Sequence, residues 1–317
     1  MPRTQPKLKI KTRGKQYPII DSPFYKLRSK KRLSSILDIP LTTINTLRVS
    51  EHNYSEFDDI GKSGKIRKIQ QPIGNMDRAH TRIASLLCRI EIPSYLHSGR
   101  KGHSHVSNAQ AHLGNTRVMT SDIKSFFPST TRKMVFSFFY SVMKCQADIA
   151  DILADICTIH NHLPTGSRIS MPLAFWSSCR MFNELYALSV KHSITMTVYV
   201  DDLTFSGSDI NRLFKSTVRK IISKHGHTMH PDKTKLYDKN HPKLVTGVVV
   251  KGEQIMVRNE QRKQLTTNFS CWKQIRHLQN ASQMQLTSSL IGRLHSMGVI
   301  DPIFRARAKT VKSQTTL

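Results

Sequence analysis

The sequence predicts an α+β fold, and three observations carry that expectation. Ile194–Tyr199 and Leu203–Phe205 read as the two arms of a hairpin, which builds in antiparallel pairing. Val118–Asp122 reads as a further strand that ends on a carboxylate. Helical segments fill the stretches between the strands, and basic helices follow from Glu260 onward.

Along the chain, residues 1–20 alternate Lys7, Lys9, Lys11, Arg13 and Lys15 and read as a flexible basic arm, with a solvated tail of no function as the alternative. Tyr25–Leu37 and Leu41–Val49 are expected to be helical. The run 61–69, Gly-Lys-Ser-Gly-Lys-Ile-Arg-Lys-Ile, reads as a glycine turn entering a basic strand. Ala79–Ile90 places Ile83, Leu86, Leu87 and Ile90 at helical spacing. Lys133–Met143, Ala147–Ile159 and Pro172–Val190 are the next expected helices, the last of them after a Pro/Gly loop at 164–166. In Ile194–Tyr199, Ile194, Met196 and Val198 share one face, and Thr195, Thr197 and Tyr199 the other. Phe214–His225 reads as a helix. Leu244–Val250 and Gln254–Val257 read as a second hairpin around Lys251-Gly252-Glu253. No internal repeat is visible.

Composition narrows the class of partner. The 49 Lys and Arg against 21 Asp and Glu give a formal charge of +28, spread along the whole chain. Such an excess points to a polyanion, with nucleic acid first because each neutralised phosphate releases a counterion. An anionic membrane surface is the competitor. No run of 18 apolar residues exists, so no spanning helix and no membrane partner are expected, and the basic N-terminus lacks the apolar core of a secretory signal. The cysteines Cys88, Cys145, Cys157, Cys179 and Cys271 are scattered, which argues against a disulfide framework or a zinc site and fits a cytoplasmic setting. With 317 residues and 38% hydrophobic content, a folded core is expected.

Asp201 and Asp202 lie side by side at the tip of the expected hairpin, in a chain with only 21 acids. Adjacent carboxylates repel unless a cation sits between them. Phosphoryl transfer uses such a pair to hold two magnesium ions about 3.5–4 Å apart. Hard oxygen ligands suit magnesium. A third carboxylate must come from another strand, and Asp122 is the natural supplier. The alternative is an ordinary turn, because Asp favours turns.

Tyr199-Val200-Asp201-Asp202 resembles the Tyr-x-Asp-Asp box of reverse transcriptases. Asp122-Ile123-Lys124-Ser125-Phe126-Phe127-Pro128-Ser129 is similar to the upstream carboxylate motif of bacterial retron and group II intron enzymes. Leu163-Pro164-Thr165-Gly166 stands where that family has Leu-Pro-Gln-Gly, and His230-Pro231-Asp232-Lys233-Thr234 resembles its Lys-Thr segment. Leu244-Val245-Thr246-Gly247 and Asn108-Ala109-Gln110-Ala111-His112 look like elements found in retron enzymes. These six elements stand in the family's order. Thr165 in place of Gln, and Ser167-Arg168-Ile169-Ser170 after Gly166, depart from the pattern.

The resemblance implies a right-hand polymerase with fingers, an antiparallel palm sheet backed by helices, and a C-terminal helical thumb. It divides the chain into an arm (1–20), N-terminal helices and fingers (21–115), palm (116–250) and thumb (251–317). It implies a bacterial RNA-directed DNA polymerase that uses two magnesium ions and deoxynucleoside triphosphates. Such an enzyme copies a structured noncoding RNA into single-stranded DNA branched from an internal guanosine, and acts in phage defence with an effector protein. Asp122, Asp201 and Asp202 would be catalytic, with Ile123 included in the metal site. Lys65 and Arg67 would lie at the triphosphate, with a charged exposed hairpin as the alternative. Phe127 would lie beneath the sugar or in the core, and Gly166 at the nucleotide. Lys233 would act on pyrophosphate or be plain surface charge. Asn108 and His112 would either meet nucleic acid or brace a loop. Arg262, Lys263, Trp272, Lys273, Arg276 and Arg293 would follow a duplex. About 65 residues follow position 250, so template trimming is expected to come from elsewhere. Two alternatives are a nucleic-acid scaffold that restrains an effector and a group II intron-like enzyme.

Overall fold

The computed structural model describes residues 8–61, 64, 66–278 and 280–315. They form two compact units, each assembled from separate chain segments: 1–94, 122–188 and 216–230 in the first, and 95–121, 189–215 and 231–317 in the second.

The first unit is mainly helical. Helix Lys30–Leu37 is shorter than the sequence predicts. Lys26 takes a left-handed φ of 53°, and Ser29 is extended so that its side chain accepts a bond from the Arg32 amide. These two features delay the helix start to the N-cap serine. Leu41–Val49 forms as expected, behind Pro40. Helix Gly74–Leu87 is buried along much of its length, through Met76, Ala79, His80, Ile83, Ala84, Leu86 and Leu87. Ala147–Cys157 is likewise a core helix. Two expected helices are interrupted. Lys133–Met143 is an α-helix only over Arg132–Ser137 and continues as a π-helical turn, Phe138–Val142. Pro172–Val190 is split at Ser178 into Ser170–Ser177 and Cys179–Lys191. The basic strand belongs to an antiparallel ribbon of Tyr54–Ile60 and Ile66–Pro72. In the described part of the arm, Tyr17 exchanges backbone bonds with Arg89 and Glu91, just beyond the 74–87 helix.

A four-stranded sheet, all but Asp122 in the second unit, runs in the order Thr195–Tyr199, Asp202–Gly207, Arg117–Asp122, Lys235–Tyr237. The first two strands form the expected hairpin. Both faces of its first strand are covered, because Thr197 is as buried as Met196 and Val198. The expected strand Leu244–Val250 is two strands, Lys243–Val245 and Val248–Lys251, followed by Gln254–Met256. Thr246 at φ 43° and Gly247 at φ 83° make the break, a bend that suits glycine. Val245, Val248 and Val250 pack with Val106, Ala109 and Val118.

Three C-terminal helices, Asn259–Ile275, Ala281–Met297 and Ile303–Ser313, surround Trp272, Leu290, Leu294, Phe304 and Val311. Trp272 was expected among the nucleic-acid contacts. It is only 2% exposed and meets Phe269 edge-on at 6.2 Å, so it serves the core. Its indole lies on the face that period 3.6 turns inward, which interleaved basic residues conceal in the sequence. Trp272→Ala should therefore destabilise the helical region by about 3–5 kcal/mol in urea unfolding. A variant with wild-type stability and weakened RNA binding would return Trp272 to the surface.

Candidate metal centre

The site starts from a tight turn. Tyr199 pairs with Asp202, which leaves Val200 and Asp201 as a two-residue loop. Val200 has φ 60° and Asp201 does not share that sign, the pattern of a turn whose first position normally belongs to glycine. A β-branched residue there is strained by about 1–3 kcal/mol. The Val200 amide donates to Ser98 Oγ at 3.0 Å, and the neighbouring segment is tied down because Val198 bonds Tyr95 and His97 through their backbones. Such strain persists only where the surroundings over-determine the turn.

The turn brings the acids together. Asp122 closes the adjacent strand and is 7% exposed, while Asp201 and Asp202 are half-buried. Carboxylate oxygens of the three lie within 4.8 Å of one another. A cation held among the three would relieve their mutual repulsion. A set made only of hard oxygen donors, part-open to incoming phosphates, fits magnesium better than a softer metal. Ile123 is fully buried, so its backbone carbonyl is the one group it could lend a metal.

Lys233 reaches this region by a bulge. Ile123 bridges to Met229, whereas Thr120 pairs with Lys235, so the second strand carries three more residues across this point. Pro231, Asp232 and Lys233 form that excursion, held on its far side by Ser121 Oγ and Thr234 Oγ1 at 2.9 Å. Lys233 is exposed beside the strand end that carries Asp122.

In the first unit, the Leu163–Ser170 loop is fastened to the ribbon. Gly166 donates its amide to the Gln70 carbonyl at 3.2 Å, and Thr165 donates its hydroxyl to the Lys68 carbonyl at 2.5 Å. A Cβ on Gly166 would lie 2.8 Å from Ile69 and 2.9 Å from the Gln70 oxygen, so only glycine allows this approach. The Thr165 hydroxyl, at the family's glutamine position, is thus engaged with backbone. Arg67 is exposed on the ribbon and paired in register with Asp59. Lys65 lies outside the described residues. Phe126 is core, against Phe182 and His227, whereas Phe127 is only half-buried and tilted 32° to its neighbour.

Asn108 and His112 are corrected by burial. Both are fully enclosed and cannot meet a nucleic acid. Asn108 donates to Thr246 Oγ1 at 3.3 Å, and Thr246 in turn donates to the His105 carbonyl at 2.8 Å. The Asn-Ala-x-x-His and Val-Thr-Gly elements therefore touch each other. His112 uses both ring nitrogens, at 2.7 Å to Ser206 Oγ and 2.7 Å to Thr197 Oγ1, one on each arm of the hairpin that carries Asp201 and Asp202. Ser98, Thr197 and Ser206 are the supports that sequence reading missed, since a lone serine or threonine carries no signal before its partner is known. Arg262, Lys263, Lys273 and Arg276 are exposed on the C-terminal helices, with Arg276 stacked 5.4 Å over the Trp272 ring. Arg293 is half-buried and donates to Gln264 at 2.6 Å.

No family model matches the chain. Curated proteins do. The chain is 29% identical over 177 residues to the retron Se72 reverse transcriptase of Salmonella heidelberg (strain 579083-10), covering 54% of this chain and 46% of that one. It is 26% identical over 208 residues to the retron Ec86 reverse transcriptase of Escherichia coli, 65% of each. It is 26% identical over 233 residues to the retron Mx65 reverse transcriptase of Myxococcus xanthus, 66% of this chain and 53% of that one. In sequence, this chain resembles the retron reverse transcriptases. The matches span about half to two thirds of those relatives' own lengths. The fold is that of a reverse transcriptase: a foamy viral protease–reverse transcriptase, solved in complex with double-stranded DNA, superposes with a TM-score of 0.50. That likeness covers 84% of this chain and 39% of the viral one at 14% identity. Among the described residues, no helix is long and apolar enough to cross a membrane.

Burial also sets the charge state of the braces. It depresses the pKa of His112 from 6.5 to about 3, and those of His80 and His227 to about 4. The folded chain then refuses protons that the unfolded chain accepts below pH 6.5. The stabilisation is complete above that pH and is lost on acidification, at about 1.4 kcal/mol per pH unit per histidine at the limiting slope. The melting temperature should fall from pH 7 to pH 5, and His112→Gln should shallow the fall. A flat profile over that window would contradict neutral, buried imidazoles.

Proposed function

We propose that this chain is an RNA-directed DNA polymerase of the retron type, and the observation that carries the proposal is the convergence of Asp122, Asp201 and Asp202 within 4.8 Å at the end of the antiparallel sheet. The sequence likeness to retron reverse transcriptases and the reverse-transcriptase fold support it. The finer reading is a bacterial, cytoplasmic enzyme that copies part of a structured noncoding RNA into DNA branched to that RNA, paired with an effector in phage defence. Its support is the resemblance of the Asn108–His112 and Val245–Gly247 elements to retron sequences. On this reading the fingers ribbon lies in the first unit, and the catalytic sheet and helical thumb in the second.

In the proposed reaction a primer hydroxyl oxygen attacks the α-phosphorus of a deoxynucleoside triphosphate. A new P–O bond forms, the bond to pyrophosphate breaks, and the hydroxyl proton is released. Asp122, Asp201 and Asp202, with the Ile123 carbonyl, would hold two magnesium ions. When bound, these supply hydroxyl activation and charge neutralisation on the phosphates. Arg67, with Lys65, grips the outer phosphates. Lys233 gives a proton to the departing pyrophosphate. Gly166 sets the loop that backs the nucleotide. The exposed Arg262, Lys263, Lys273 and Arg276 track the backbone of the duplex.

Asp201→Asn tests the core of this reading. It should lower primer extension on an RNA template by more than about a hundredfold while RNA affinity stays near wild type. Near-normal extension would remove the proposal.

Phe127 tests sugar choice. A ribonucleotide carries an extra hydroxyl, so its rejection must be steric. The half-buried ring of Phe127 is available for this, whereas Phe126 is committed to the core. Phe127→Val should raise the ratio of ribo- to deoxynucleotide kcat/KM with the melting temperature little changed. An unchanged ratio together with a drop in melting temperature would place Phe127 in the core.

A further inference from the structure

The first unit contains a second charged feature, distinct from the carboxylates in kind and opposite in sign. A groove of about 720 Å³ lies between residues 8–13 of the arm and the helices Lys30–Leu37 and Gly74–Leu87. Six cationic side chains line it, Lys9, Lys11, Arg13, Arg78, Arg82 and Arg89, against one carboxylate, Asp38. Like charges gathered in one concavity repel one another and raise the local potential, so the arrangement costs stability unless an anion occupies it.

The groove is built rather than incidental. Lys11 is fixed by its backbone: its amide donates to Ser85 Oγ at 3.0 Å, and its carbonyl accepts from Arg89 Nη2 at 3.0 Å. Arg82 is aimed by a 2.7 Å bond from its Nε to the Ile36 carbonyl. Arg89 is only 8% exposed, and its Nε has no hydrogen-bond partner. A guanidinium this buried with an unmet donor carries a desolvation penalty that a nearby anion offsets. Lys9, Lys11, Arg13 and Arg78 remain exposed around it, ready for a ligand with several negative charges.

We infer that this groove binds clustered phosphates, supplied either by the phosphodiester backbone of a single strand or by a free polyphosphate. Arginine forks match phosphate oxygens bidentately, and four of the six cations are arginine. The size falls in the range of small-ligand sites, roughly 300–1,000 Å³, and also accommodates a short length of backbone. The inference rests on the groove's own chemistry and does not depend on the polymerase reading.

The test uses the full chain and two probes, inorganic tripolyphosphate and a single-stranded RNA oligonucleotide without secondary structure. Lys9→Gln with Arg78→Gln removes two exposed groove cations. Arg219→Gln with Lys220→Gln removes the same charge from an exposed helix elsewhere in the first unit. The groove pair should weaken binding of at least one probe by about tenfold or more, and the control pair should not. Loss for tripolyphosphate alone assigns a free polyphosphate, loss for RNA alone assigns a strand, and loss for both supports the shared chemistry. Equal losses in groove and control variants, or none in either, would overturn the inference, and melting temperatures of both variants exclude unfolding. Primer extension by the groove variant on a preformed template–primer at saturating nucleotide reports separately on the polymerase reading.

Discussion

Mutual repulsion among three carboxylates is the constraint on which this end of the antiparallel sheet depends. Asp122, Asp201 and Asp202 would separate if the backbone allowed it, and the fold does not allow it. Asp122 is fixed as the last residue of a strand inside a four-stranded sheet, and the other two are fixed by a two-residue turn. That turn holds Val200 in a conformation a β-branched residue avoids, with Ser98 bonded to its amide. The strain and the repulsion are both local costs, and they fall at a place where bound cations would relieve the repulsion. The same sheet end also receives the Pro231–Lys233 bulge, across from the strand that ends on Asp122.

A recurring device supports this frame. Three enclosed histidines each spend both ring nitrogens on partners from different elements. His112 joins Thr197 and Ser206 across the hairpin. His80 receives the Ser167 hydroxyl and donates to the Ile156 carbonyl, which holds the loop after Gly166. His227 bridges Ser129 and Ser178. A neutral imidazole offers one donor and one acceptor in a rigid plane, so it fixes two elements at once without burying a charge.

Much of the frame was legible in the sequence because it follows from period. The hairpin, the strand ending on Asp122 and the helix from Ala147 are carried by apolar spacing that the structure keeps, and the terminal helices were expected as basic helices from Glu260 onward. The errors have local physical causes. A left-handed Lys26 and an N-capping Ser29 shorten one helix, Ser178 splits another, and Thr246-Gly247 divides a strand, none of which apolar periodicity registers. Within the site, the acids were legible because carboxylates are few in this chain, 21 against 49 Lys and Arg. Trp272 was misplaced, and Asn108 and His112 were left between binding and bracing, for the opposite reason. A polar or aromatic residue looks available for binding until its partners are known, and theirs are Thr246, the hairpin hydroxyls and Phe269. The arm was read as free, yet its described part is tied down, Tyr17 to the backbone of Arg89 and Glu91 and the Lys11 backbone to the side chains of Ser85 and Arg89.

The central claim is that the three carboxylates assemble a divalent-metal centre for template-directed DNA synthesis. Its most direct measurement is incorporation of a single labelled deoxynucleotide by the full chain on an RNA template with an annealed primer, across a magnesium titration. The result expected is incorporation of the base complementary to the template, rising with magnesium and abolished by a chelator. Incorporation that persists without divalent metal, or that ignores the template base, would contradict it.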